Sequence, residues 1–131
     1  MQIVDANVIL RFLLGDNPAL SKKAGEIIRG HEVFLPFEVL AEVVYVLEKV
    51  YQVQRPEIKR NIEALVNTPS IETTDYEAIT KALDIYGKAK LDFVDSILCG
   101  YAIARNYHIH TFDKKLGKVV RQGKEGLQSR D

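Results

Sequence analysis

MQIVDANVILRFLL, residues 1–14, is the stretch whose reading decides the fold. Gln2-Ile3-Val4 reads as a short buried strand, and Asp5 stands where that strand should end. Asn7 opens an apolar run, Val8-Ile9-Leu10 and then Phe12-Leu13-Leu14, interrupted only by Arg11 and long enough for a helix. A carboxylate between a buried strand and a buried helix is costly unless something satisfies it. Two readings of Asp5 follow. It begins a turn or caps the helix, since Asp and Asn are favoured there. Alternatively it binds a metal ion on which later acidic positions converge. Asn7 can cap by itself, which frees Asp5 for the second role.

Outward from this stretch, strands and helices alternate. Gly15-Asp16-Asn17-Pro18 is a turn by composition. Pro18 starts a helix to about Arg29, with Leu20, Ala24, Ile27 and Ile28 on one face, and Gly30 ends it. His31–Leu35 reads as a second strand. Pro36 opens a long helix, FEVLAEVVYVLEKVY, that ends before Pro56, and Arg55–Val66 forms another. Ser70–Thr74 reads as a third strand, and Asp75 as the N-cap of a helix towards Lys88. Asp92 opens the most apolar helix, FVDSILCGYAIA, which ends near Asn106. Tyr107–Phe112 reads as a fourth strand, followed by Asp113 and a short helical turn; the Lys- and Gly-rich tail from Gly117 is poorly specified. Such alternation implies an α/β domain with a mostly parallel sheet. Sites in these sheets lie beyond the carboxyl ends of the strands, where Asp5 and Asp113 both fall.

The bulk properties agree with one ordinary domain. The chain has 131 residues, 47% hydrophobic and 27% charged, with eighteen basic and eighteen acidic residues. That length supports a core without staples, and the balanced charge gives no global signal for nucleic acid. The single cysteine, Cys99, excludes an internal disulfide and fits a reducing compartment. The longest uninterrupted apolar run, Ile97–Ala104, falls far short of the roughly 20 residues that cross a bilayer. Asp5 and Arg11 interrupt the N-terminal apolar stretch, which lacks the basic start of a signal peptide. The expectation is a cytoplasmic protein with no membrane contact.

The other acidic positions each carry a plain reading beside a functional one. The apolar stripe of the long helix comprises Val39, Leu40, Val43, Val46, Leu47 and Val50. Glu42 lies at its edge, on the side of Glu38 and Lys49, so periodicity makes it a solvated glutamate. Asp92 and Asp95 share one helix face and have the positions of a capping box. Asp95 suggests more, because its helix is apolar nearly all round except for a stripe of Asp92, Asp95, Ser96 and Asn106. Asp113 either caps a helix or binds a ligand. Two like charges about 4 Å apart repel by roughly 4 kcal/mol at an effective dielectric of 20. Converging carboxylates therefore need a cation or raised pKa values, and an all-carboxylate cluster suits Mg²⁺ or Mn²⁺ rather than zinc. His31, His108 and His110 lack zinc-site spacing; the last two would share a strand face, packed in the ordinary way. Cys99 reads as a core residue. No Gly-rich phosphate loop or nucleophile elbow is present. After Asp113, six basic residues (Lys114, Lys115, Lys118, Arg121, Lys124 and Arg130) against Glu125 and Asp131 give a local charge of +4. This is a solubilising tail or, beside an acidic metal site, a hold for a nucleic-acid backbone.

Four pieces, IVDANVILRFL, AEVVYVL, DFVDSILCGYAIA and IHTFDKKL, in this order and spacing, resemble a PIN-domain nuclease of the VapC toxin type. The resemblance covers nearly the whole chain and implies a single PIN-like domain over residues 1–131. The fold would be a three-layer α/β/α sandwich with a mostly parallel central sheet of four to five strands, the fifth lacking a clear apolar segment. It makes Asp5 the first metal ligand with Asn7 as polar support, and Glu42, Asp95 and Asp113 the following acidic positions. Thr111 matches a hydroxyl position that orients the site, and Asp92 is an accessory. It further implies a single-strand-cutting endoribonuclease dependent on Mg²⁺ or Mn²⁺, a homodimer, and an antitoxin protein partner that blocks the groove. Two other classes stand against this reading. One is an idle PIN scaffold that binds RNA or a partner without cutting. The other is a receiver-like signalling module with an acidic Mg²⁺ pocket, for which the required phosphoryl-accepting aspartate and later lysine are not evident.

Overall fold

The computed structural model describes residues 1–128. Arg130 and Asp131 of the basic segment therefore lie outside the described residues. The chain divides into two compact units, Met1–Tyr76 and the part from Glu77 onward.

The first unit carries the sheet. Strands β1 (Gln2–Ile3), β2 (Val33–Leu35) and β3 (Ile71–Thr73) lie in the order β1-β2-β3, all parallel. Gln2 pairs with Val33 and Ile3 with Phe34; Val33 pairs with Ile71, Phe34 with Glu72 and Leu35 with Thr73. Parallel neighbours need crossover connections. Helices α1 (Ala6–Leu14) and α2 (Pro18–Gly30) make the first, and α3 (Phe37–Lys49) and α4 (Arg55–Val66) the second. Central β2 is sealed, with Val33 and Leu35 fully buried, and Ile9, Ile28, Leu40, Val43, Ile58 and Ile62 are equally inaccessible. Two side-chain bonds tie the crossovers down. The Phe37 amide donates to Thr74 Oγ1 at 3.1 Å, joining the start of α3 to the chain just past β3. Ser70 Oγ donates to the Ile28 carbonyl at 2.7 Å.

Details of this unit correct the sequence reading. β1 is an edge strand and not a buried one: Ile3 is 68% exposed, and Val4, just past the strand, supplies the buried contact. On α3 the buried face is Leu40, Val43, Val44 and Leu47, while Val50, beyond the helix end, is exposed.

The second unit holds α5 (Tyr76–Lys88), α6 (Phe93–Ala104) and α7 (Lys114–Gln128). α6 comes so close to α5 that a Cβ on Gly100 would strike the Ala78 carbonyl oxygen and crowd Ala82. Tyr86 and Phe93 meet edge to face at 5.6 Å. A core of Leu91, Cys99, Ala102, Leu116 and Val120 seats α7 on α6, with Ile109 and Val119 packed against it.

Two expectations fail here. Tyr107–Phe112 is irregular chain and pairs with no strand among the described residues, so the sheet has three strands and not four to five. Tyr107 and Phe112 at its ends are exposed, and only Ile109 of the segment joins the core. The supposed short turn and unspecified tail after Asp113 form one helix, α7, through Gln128. Its glycines weaken helix propensity by about 1 kcal/mol each, but Leu116, Val119 and Val120 recover it by packing. Gly123 lets the helix pass Ile103, whose side chain a Cβ would meet. Among the described residues no helix is long and apolar enough to cross a membrane.

These two close approaches differ in what must yield. Gly100→Ala pushes a methyl against fixed backbone and is expected to destabilise by about 1–3 kcal/mol, as overpacking does. Gly123→Ala meets only a movable Ile103 side chain and gains helix propensity, so it is expected within about 1 kcal/mol of neutral. Urea denaturation of the two variants measures the contrast.

Candidate functional site

Three of the acidic candidates are placed by one local device. Asp5 is the N-cap of α1, its Oδ1 accepting the Val8 amide at 3.1 Å. Asp92 caps α6, its Oδ1 accepting the Asp95 amide at 2.8 Å. Asp113 Oδ1 accepts the Leu116 amide at 3.0 Å at the start of α7. Asn7, expected to be able to cap α1 alone, lies inside that helix instead, and Asp5 is exposed and does the capping. Each cap engages one carboxylate oxygen.

Within the first unit, Asp5 follows the carboxyl end of β1, the edge from which α3 also departs after β2. Glu42 lies on the exposed side of α3, as periodicity predicts.

In the second unit Asp92, Asp95 and Asp113 act on one another. Asp95 is half-buried, and its carboxyl is held above the ordinary aspartate value. Burial is the largest cause, followed by the negative charges of Asp92 and Asp113. The Cys99 thiol beneath is pushed up to about 11 by burial first, then by Asp95 and Asp113. Cys99 is fully buried in the core, as its sequence context predicts. The α6 helix around Asp95 is not dressed as expected. Ser96 is fully buried and its hydroxyl donates to the Asp92 carbonyl at 2.8 Å, while Val94 and Leu98 are exposed apolar residues. The proposed polar stripe is therefore broken.

Thr111 braces Asp113. Its Oγ1 accepts the Asp113 amide at 3.0 Å, and the Asp113 carbonyl accepts the Gly117 amide at 3.0 Å. A cleft of about 580 Å³ opens beside this turn, lined among others by His108, Thr111, Phe112, Asp113, Lys114 and Arg121. The rings of His108 and His110 lie edge to face at 4.7 Å, the same-side relation expected of extended chain, but both are exposed. The sequence reading took Phe112 as the last residue of a strand and gave it no role, whereas the structure leaves it exposed beside this cleft. The signal was an aromatic residue directly before a capping aspartate.

The donor chemistry is all carboxylate oxygen, and like charges already disturb Asp95; both features suit a hard divalent cation. Among the described residues, no three or more Asp, Glu, His or Cys side chains are gathered at metal-holding spacing. The three aspartates of the second unit share a field rather than a coordination shell.

With this geometry in view, comparison with known proteins is informative. The profile described as "PIN domain" matches residues 3–122. The chain is similar to a VapC ribonuclease of Aquifex aeolicus (strain VF5), with 29% identity over 107 residues that cover 74% of this chain and 75% of that protein. No solved structure matches.

The raised Asp95 has a signed consequence. The folded carboxyl binds its proton more tightly than the unfolded one, so stability falls as pH rises from the unfolded to the raised folded value, and the deficit persists above it. In EDTA, Asp95→Asn, which cannot ionise, is expected to give a modestly higher urea midpoint than wild type at pH 7. The gain should vanish once the pH drops below about 3.9, the ordinary aspartate value.

Proposed function

Because the chain belongs to the PIN domain family, we propose that it is an endoribonuclease dependent on Mg²⁺ or Mn²⁺, the toxin of a type II toxin–antitoxin pair. The observation that carries this reading is the acidic cluster at the starts of α6 and α7, where burial first, and then the charges of Asp92 and Asp113, raise the carboxyl of Asp95. In a chain that neutralises eighteen acids with eighteen bases, a local excess of carboxylate that penalises its own ionisation needs a reason. Holding a cation is one.

In this reading the acidic residues on which activity depends are Asp5, Glu42, Asp95 and Asp113, with Asn7, Thr111 and Asp92 in support. A bound Mg²⁺ or Mn²⁺ supplies charge neutralisation at the scissile phosphate and makes water a better nucleophile. The residues do the placing. Each cap fixes one carboxylate oxygen of Asp5 and Asp113 against a helix amide, which leaves Oδ2 for the ligand role. Thr111 holds the Asp113 backbone still, so that carboxylate is oriented before substrate arrives. A carboxylate near the attacked phosphate accepts the proton that the water loses. Lys114 and Arg121, beside Asp113, draw in the polyanion that the carboxylates would otherwise repel. The partners that follow are RNA, a second copy of the chain and an antitoxin protein, whose tail would block the groove.

The purified protein is expected to cleave RNA with Mg²⁺ or Mn²⁺ and to stop with EDTA. Asp5→Asn, Asp95→Asn and Asp113→Asn should each lower the rate by about 10²–10³-fold or more, since the cation supplies several kcal/mol. Equal cleavage by the aspartate variants would show contamination or a wrong site. RNA binding without cleavage under every metal condition would show an idle scaffold.

A further inference from the structure

Phe112 is in an unusual situation for a large apolar side chain: its ring is 106% exposed relative to a free reference, so it contacts essentially nothing. A loose loop would explain that, but this turn is fastened. The Asp113 amide is held by Thr111 Oγ1, the Leu116 amide by Asp113 Oδ1, and the Gly117 amide by the Asp113 carbonyl. The ring is thus presented by a fixed backbone, at the lip of a cleft of about 580 Å³.

The wall of that cleft has a matching chemistry. Lys114, Gly117, Arg121 and Lys124 all line it, and their spacings of three, four and three place them on one stripe of α7. The adjoining stripe, Leu116, Val119 and Val120, is the one seated in the core, and Val120 also forms part of the cleft wall. Lys124 fastens the wall by donating to the Tyr107 carbonyl at 2.9 Å. Neither Lys114 nor Arg121 has an ion-pair partner among the described residues. Gly117 keeps the stretch between the two cations low, and the Arg121 guanidinium extends back over it. An exposed aromatic face, two unpaired cations and a neighbouring catalytic-type aspartate suit a ligand that is flat, anionic and single-stranded.

We propose that Phe112 is a stacking platform for an unpaired RNA base, and that Lys114 and Arg121 hold backbone phosphates of the same strand. The proposal rests on the nuclease reading in taking RNA as the ligand. What it adds is the set of residues that meet the strand; a stacked base must be unpaired, which agrees with the single-strand cutting that the family resemblance implies and disfavours a blunt duplex. Base–aromatic stacking is tolerant of base identity, so Phe112 positions the strand beside Asp113 without reading its sequence.

The test is fluorescence anisotropy of labelled oligouridylate with the full chain in EDTA, where no cleavage occurs. Phe112→Ala should weaken binding by about 5- to 100-fold, and Phe112→Leu should weaken it comparably. Phe112→Trp should stay within about twofold of wild type. Arg121→Gln should reduce the slope of log affinity against log salt by about 0.7. The blunt oligoadenylate–oligouridylate duplex should bind more weakly than the single strand and be indifferent to Phe112. The unfolding midpoint of Phe112→Ala should match wild type, since the ring packs on nothing.

Equal affinity of Phe112→Ala and wild type for oligouridylate overturns the platform. So does full binding by Phe112→Leu, or a Phe112→Ala change in oligomeric state with RNA affinity intact. A parallel cleavage assay separates the two readings. Wild-type cleavage with Phe112→Ala unimpaired in binding sinks the platform and spares the nuclease. Loss of oligouridylate affinity in Phe112→Ala, with no cleavage by wild type in Mg²⁺ or Mn²⁺, sinks the nuclease and spares the platform.

Discussion

Helices α1, α6 and α7 each start on an aspartate that closes on the amide three residues ahead: Asp5 on Val8, Asp92 on Asp95, Asp113 on Leu116. The first turn of a helix leaves backbone donors without partners, and a short carboxylate answers one of them while lying at the positive end of the helix dipole. The same act fixes where the carboxylate stands. Capping and ligand binding are therefore not rival explanations of these residues. A helix start that requires an acid, set after a parallel strand or a tight turn, delivers a held carboxylate with one oxygen to spare.

That coupling also explains how much of the site was legible in sequence. A cap spans three residues, so local pattern suffices to place Asp92 and Asp113 at helix starts. It cannot separate a cap from a ligand, because the signature is the same. Asp95 stood out for the wrong reason. The polar stripe that was to mark it dissolves, since Ser96 turns inward to its own helix backbone and Val94 and Leu98 face outward. What marks Asp95 is its burial, joined by the charges of Asp92 and of Asp113, the last eighteen residues away in sequence and beyond the reach of any periodicity. Glu42 is an exposed glutamate by periodicity and by structure alike, and only the family resemblance singles it out.

The fold was legible where apolar spacing and breakers agree. Pro18 at the start of α2 and Pro56 in the first turn of α4 bound helices whose limits the sequence reading matched closely. It failed where tertiary contact outweighs propensity. α7 contains three glycines and a thin apolar stripe, yet folds because α6 offers a complementary face. Tyr107–Phe112 alternates like a strand, but among the described residues no strand pairs with it, and its Tyr107 carbonyl accepts from Lys124 of α7 instead. Losing that strand and gaining that helix turns the chain after α6 from a sheet edge into a cleft with a basic wall.

The buried thiol has a practical corollary. Cys99 is the only cysteine in the chain, and with burial pushing its thiol up to about 11 it stays in the unreactive protonated form at neutral pH. Maleimides and disulfide reagents attack the thiolate, and here they would also have to enter a closed core. A cysteine engineered anywhere on the surface would therefore carry a fluorophore or spin label without first removing the native one. The protein comes ready for site-specific spectroscopy with its own core chemistry untouched.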